Sequence, residues 1–211
     1  MGSIALVVTS FHQMLYDSGV WVNDTKWRGV PVQKFPSDLW VYQEIIHDLK
    51  PDLIIETGTC YGGSGLFMAD MCELAGNGRV ISIDLNPRPN RPKHARLEYF
   101  TGSSIDPVVL SLMTSAARNL KTVMCVLDSD HTCNYVLQEM HEYAQFVTPG
   151  SYLIVEDTDV NGNPICPDHG PGPFEAVELF LSHGDAFEID TSREKFVVTQ
   201  NPSGFLRKKI L

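Results

Sequence analysis

The 211-residue chain has no run of eighteen apolar residues, so no transmembrane helix and no membrane partner are expected. Its opening, Ser3-Ile4-Ala5-Leu6-Val7-Val8, lacks a basic segment before it, so no secretory signal is expected either. Positive charge is scarce: 16 Lys and Arg stand against 26 Asp and Glu, a formal net charge of −10. Proteins that grip phosphate backbones usually show a basic face, so no nucleic-acid partner is expected. The densest basic group, Arg88, Arg91, Lys93 and Arg96, reads as a solvated loop. Cysteine is sparse, and the five residues Cys60, Cys72, Cys125, Cys133 and Cys166 lack the spacing of zinc fingers or redox pairs. Cys125 sits inside an apolar run as a small core hydrophobe, which suits a reducing, cytoplasmic setting. Internal repeats and low-complexity tracts are missing. So are the dinucleotide fingerprint Gly-x-Gly-x-x-Gly and the loop Gly-x-x-x-x-Gly-Lys-[Ser/Thr], which argues against a pyrophosphate or a nucleoside triphosphate as ligand.

What remains is a globular composition, 43% apolar and 20% charged, long enough for one domain over residues 1–211 with a sizeable core. Residues 1–50 read as an N-terminal helical cap, with a helix from Pro36 to about Leu49 ended by Lys50-Pro51. Strands are then expected at 52–56, 79–84, 98–100, 122–127 and 152–156, alternating with helices at 63–75, 106–119, 132–146 and 173–181. Near-continuous apolar strands in βα order predict a doubly wound, mostly parallel, Rossmann-like sheet. Phe187–Asp190 and Phe196–Thr199 read as a closing β-hairpin, which would add an antiparallel strand at the C-terminal end. The Gly- and Pro-rich segment 158–173 is placed like a lid.

Two features carry chemistry. The first is Glu56-Thr57-Gly58-Thr59-Cys60-Tyr61-Gly62-Gly63-Ser64, a glycine-rich turn between a strand and a helix. Gly58 allows the tight turn, and Gly62-Gly63 let the helix start beside a ligand with its free N–H groups. Asp84, 28 residues after Glu56, ends the next strand where an acid accepts both hydroxyls of a ribose. A nucleoside without phosphates fits this pair, which matches S-adenosylmethionine. Ser103 and Ser104, after the third strand, are placed to meet an adenine edge or to cap the next helix. The second feature is a pair of acidic strand ends, Leu127-Asp128-Ser129-Asp130-His131 and Val155-Glu156-Asp157. Carboxylates ending buried strands call for a partner, and oxygen donors favour magnesium, manganese or calcium over zinc. The competing reading makes Asp128 a helix cap and the others solvated acids. His131, or the nearby carboxylate of Asp128, is placed to take a proton from a bound substrate, Asp128 is also placed to meet the cofactor, and His169 is a weaker catalytic candidate on the lid.

Together with Trp27-Arg28-Gly29-Val30, Lys50-Pro51-Asp52 and Asn201-Pro202-Ser203-Gly204-Phe205-Leu206, these motifs resemble the cephalosporin hydroxylase/rhamnosyl O-methyltransferase family. The resemblance implies a class I, S-adenosylmethionine-dependent and metal-dependent methyltransferase. It also implies that Asp130, Glu156 and Asp157 hold magnesium and that Glu56, Gly58, Thr59, Tyr61, Gly62, Gly63, Ser64 and Asp84 surround the cofactor. A more distant likeness to catechol O-methyltransferases points instead to Asp128 as the ligand, with His131 in the place of that family's lysine base. The expected reaction is methyl transfer to a hydroxyl of a small-molecule acceptor, a sugar, phenol or other secondary metabolite, by a homo-oligomer. The alternatives are a metal-dependent oxygenase or lyase on the same fold, or a non-catalytic protein that only binds the cofactor.

Overall fold

The computed structural model describes residues 2–210; Met1, Leu211 and the side chains of Gly2 and Ser3 lie outside the description, and with them the two ends of the expected 1–211 domain. In chain order the elements are α1 (Gly2–Asp17), α2 (Val20–Asn23), a two-residue ladder of β1 (Lys26–Trp27) with β2 (Val30–Pro31), and α3 (Pro36–Leu49). There follow β3 (Leu53–Thr57), α4 (Gly63–Ala75), β4 (Arg79–Asp84), β5 (Leu97–Thr101), α5 (Pro107–Ala117), β6 (Val123–Leu127), α6 (Cys133–Tyr143), β7 (Tyr152–Val155) and α7 (Pro173–Ser182). Strands β8 (Phe187–Ile189) and β9 (Phe205–Lys208) end the fold.

Local chemistry sets these limits. Pro36 and Pro107 occupy first-turn positions of α3 and α5, where no N–H is required, and Asp106 accepts from Val108 N at the start of α5. Helix α3 stops at Lys50, which takes a left-handed conformation before Pro51. Helix α4 is bracketed by Gly62 and Gly76, both left-handed (φ 82° and 74°).

The larger sheet has the order β5-β4-β3-β6-β7-β9-β8. Strands β3 to β7 are parallel, and β9 runs antiparallel to both β7 and β8. Side chains alternate between two cores, as a period of two requires. Leu53, Ile55, Ile83, Cys125 and Val155 face α5, α6 and α7, whereas Ile54, Val80, Met124, Val126 and Ile154 face α3 and α4. Burial on both faces is why the central strands β6 and β7 are apolar throughout instead of alternating. Because β3 has β4 on one side and β6 on the other, the strand order reverses there and opens a crevice at the carboxyl ends.

The expected hairpin is corrected by the structure. Phe187–Ile189 is a strand, but its partner is Phe205–Lys208, not Phe196–Thr199. A 3₁₀ turn over Thr191–Glu194, capped by Asp190, takes the chain out of the sheet. Val197 then adopts φ 73°, which no extended strand accommodates, and Phe196 and Val197 stay exposed while Phe205 and Leu206 are fully buried.

Candidate active site

The crevice holds a cavity of about 450 Å³, a size typical of small-molecule sites. Its walls come from the ends of four strands and the turns after them: Gly58 and Cys60 after β3, Ile83 to Asn86 after β4, Gly102 and Ser104 after β5, and Asp128 to His131 after β6. Trp21, Val22, Gln33, Arg88, Tyr135 and Asp157 complete it.

Gly58 is the tightest point. It has φ 85°, and a Cβ built there would lie 1.6 Å from the Asp128 carbonyl oxygen, so the glycine turn and the end of β6 touch backbone to backbone. Gly63 serves α4 likewise, since a Cβ would fall 2.1 Å from the Pro31 carbonyl oxygen. Beneath the turn Glu56 is fully buried and accepts hydrogen bonds from the Ser64 and Ser82 hydroxyls, while Thr59 Oγ1 lies 2.7 Å from Ser82 Oγ. Burial pushes the Glu56 carboxyl up to about 7 against the pull of those hydroxyls. Glu56, Thr59, Gly62, Gly63 and Ser64 thus support the cavity without lining it. Tyr61 is exposed, with the Arg88 guanidinium 4.4 Å from its ring centre. Ser103 and Ser104 both meet the Tyr135 hydroxyl, and of the two only Ser104 lines the cavity.

Asp128, His131 and Asp157 converge on the cavity wall. Each offers a ligand atom, and the three atoms lie within 4.8 Å of one another. His131 Nε2 stands 2.9 Å from Asp157 Oδ2 and 3.5 Å from Asp128 Oδ1, yet it is buried without a well-directed hydrogen bond. The facing carboxylates of Asp128 and Asp157 are oxygen donors of the kind a hard divalent cation takes. Burial alone would lower the His131 pKa, but Asp157 and Asp128 raise it to about 11.

The trio Asp130, Glu156 and Asp157 is not brought together. The chain leaves the sheet at Leu127, so the two-residue spacing of Asp128 and Asp130 does not set them side by side. Asp130 accepts instead from Thr132 N and Thr132 Oγ1 at the start of α6, although it also lines the cavity. Glu156, 2% exposed, turns into the core, where Lys34 Nζ lies 2.7 Å away and the Tyr42 hydroxyl donates to it. His169 is exposed, its Nδ1 3.1 Å from the Gly170 carbonyl oxygen, and it does not line the cavity.

Lys34 was not legible as a site residue. It is 2% exposed and also lies 2.8 Å from Asp128 Oδ2, so one ammonium bridges the ends of β6 and β7. Burial would lower its pKa, but Asp128 and Glu156 raise it well above the ordinary lysine value. The only sequence signal was its place in Val32-Gln33-Lys34-Phe35, between two residues that are themselves buried. Segment 158–173 is irregular but anchored: Asp159, Val160 and Ile165 are buried, and His12 Nε2 of α1 meets Asp159 Oδ2 at 2.8 Å.

A family model described as Rhamnosyl O-methyltransferase/CmcI matches residues 19–209. Rhamnosyl O-methyltransferases of Mycobacterium tuberculosis and Mycobacterium leprae are each 36% identical to the chain, over 95% and 96% of it and 84% and 91% of their own lengths. The solved Mg-SAM form of CmcI superimposes with a TM-score of 0.69 at 21% identity, covering 88% of this chain and 77% of that one. An O-methyltransferase from Bacillus cereus in complex with SAH gives a TM-score of 0.55 at 15% identity, covering 86% and 81%. The two solved structures share the Rossmann-like class I methyltransferase fold with this chain.

Proposed function

The chain belongs to the Rhamnosyl O-methyltransferase/CmcI family, and from that premise we propose that it transfers the methyl group of S-adenosylmethionine to a hydroxyl of a small sugar-bearing acceptor, with magnesium at Asp128 and Asp157. The sugar comes from the relatives' acceptor, and magnesium with S-adenosylmethionine from the solved Mg-SAM form of CmcI. The observation that carries the reading is the convergence of Asp128, His131 and Asp157 on the cavity that Gly58, Cys60 and Asp84 also line.

A cation bound there would supply Lewis-acid chemistry to the acceptor hydroxyl. Asp128 and Asp157 would hold it, with Glu156 behind them as a partner of Lys34. His131 takes the acceptor proton at Nε2. The two carboxylates that raise its pKa in this structure are the ones proposed to be engaged by the cation, which leaves a neutral imidazole as base. The amides around Cys60 and the carboxylate of Asp84 hold the cofactor, and Trp21 closes the acceptor side with an apolar wall. Positioning two substrates in one cavity supplies the proximity that the reaction needs.

The test is release of S-adenosylhomocysteine from S-adenosylmethionine with a panel of rhamnosides and simple phenols, with and without a chelator. Turnover that requires both the acceptor and magnesium is expected; release that ignores the chelator would remove the cation from the account. An iron oxygenase with two histidines and one carboxylate is not favoured, because His131 is the single histidine of the cluster among the described residues.

We also propose a homo-oligomer formed through α1. Ile4, Val7, Phe11 and Met14 recur at heptad spacing and are exposed, and α1 carries no Lys or Arg. A helix seated on a membrane surface would be expected to carry such residues, so a second copy of the chain is the fitting partner.

A further inference from the structure

Arg91 belongs to the basic cluster that read as a solvated loop, and the structure corrects that reading. Its side chain is 6% exposed. One terminal nitrogen donates to Asp84 Oδ2 at 2.8 Å and to the Asn86 carbonyl oxygen at 2.9 Å, and Nε donates to the Cys60 carbonyl oxygen at 3.1 Å. The guanidinium lies 5.5 Å from the Tyr99 ring centre, and the Tyr99 hydroxyl donates to the Pro92 carbonyl oxygen at 2.9 Å. Cys60, Asp84 and Asn86 all line the cavity, whereas Arg91 does not. One planar cation therefore clips the glycine turn, the acid at the end of β4 and the loop after it into a single unit. Lysine has no fork with which to span three such acceptors.

The clip also determines what Asp84 has left to offer. Oδ2 accepts from Cys60 N at 2.8 Å and from Arg91, and Oδ1 accepts from Asn86 N at 2.8 Å. An ionised carboxylate has about four lone-pair positions, so about one remains, on Oδ1.

We infer that Arg91 is the positioning residue of the ribose site: it fixes Asp84 so that this carboxylate reads one ribose hydroxyl through Oδ1, not both. The inference rests on the S-adenosylmethionine reading above and gives each cofactor-binding residue of this wall a distinct part. Asp84 is the contact, and Arg91 acts through it.

The experiment is calorimetric titration of S-adenosylhomocysteine and its 2′-deoxy and 3′-deoxy analogues into wild type, Asp84→Ala, Arg91→Gln and Arg91→Lys. Magnesium affinity and the thermal midpoint serve as checks on folding. Arg91→Gln should weaken S-adenosylhomocysteine at least about tenfold, the scale of a lost hydrogen bond to a charged group, and raise KM for S-adenosylmethionine more than it lowers kcat. Arg91→Lys should recover part of the loss, and it carries the test if Arg91→Gln does not fold. The penalty of Asp84→Ala should persist with one deoxy analogue and vanish with the other. Binding of Arg91→Gln within twofold of wild type, while Asp84→Ala binds weakly, would overturn the positioning role. A penalty that vanishes with both analogues would overturn the single-hydroxyl claim. Unchanged affinity of Asp84→Ala itself would overturn the cofactor assignment on which the inference stands.

Discussion

Lys34 shows how much can depend on one side chain that the sequence leaves inconspicuous. Its ammonium lies within 2.8 Å of both Asp128 and Glu156, and the side chain is buried. Lys34→Met would leave buried carboxylates uncompensated, and a loss of about 3–5 kcal/mol is expected in urea unfolding. Adding Glu156→Gln should restore part of it; an equally unstable double variant would mean that Lys34 acts through packing alone. Glu56 gives a pH test. Its pKa in the folded chain is about 7, above the unfolded value of about 4.3. The folded state thus holds the proton more tightly, so the stabilising contribution is complete below about pH 4 and is lost as pH rises through 7. Asp38, raised to about 7 by burial, acts in the same direction. Unfolding free energy measured between pH 5 and 8 should fall less steeply in Glu56→Gln than in wild type, and an unchanged slope would refute the Glu56 assignment.

At the scale of elements, the parallel strands and the helices beside them were legible because continuous apolar runs, glycine turns and proline-led helix starts all pointed the same way. The helix at Gly63–Ala75 and the strand at Arg79–Asp84 have the limits that their bounding glycines and acid suggest. The closing strand was not legible. Phe196-Val197-Val198-Thr199 and Phe205-Leu206-Arg207-Lys208 are comparable short runs, and only the left-handed Val197 and the Asp190-capped turn decide between them. Leu206→Ala should therefore cost about 2–5 kcal/mol, the loss typical of a buried leucine. Val197→Ala should stay within about 0.5 kcal/mol, as exposed positions do. Equal losses by chemical denaturation would restore the original hairpin. The acidic strand ends were legible as neighbours at one sheet edge but not in their detail, because the alternation of a strand was extended past Leu127, where the strand has already ended. The spacing could not show that Asp130 turns to Thr132 while Asp128 and Asp157 face each other across His131.

At the scale of the molecule, a net charge of −10 opposes self-association, so any interface has to use a surface free of acids. The exposed stripe of α1 is such a surface, and the same helix reaches the chain after β7 through His12 and Asp159. Phe11→Asp is expected to shift sedimentation from a dimer or higher species to the monomer. A wild-type monomer at tens of micromolar would remove the interface. The proposed cation site at Asp128 and Asp157, brought together on the cavity wall by the ends of β6 and β7, is the centre of the account. It is tested most directly by calorimetric titration of magnesium, with S-adenosylhomocysteine present, into wild type and the variants Asp128→Asn, Asp157→Asn and Asp130→Asn. Asp128→Asn and Asp157→Asn should each lose at least about tenfold in affinity, with Asp130→Asn within about threefold of wild type. Loss of binding in Asp130→Asn with the other two unaffected would contradict the account.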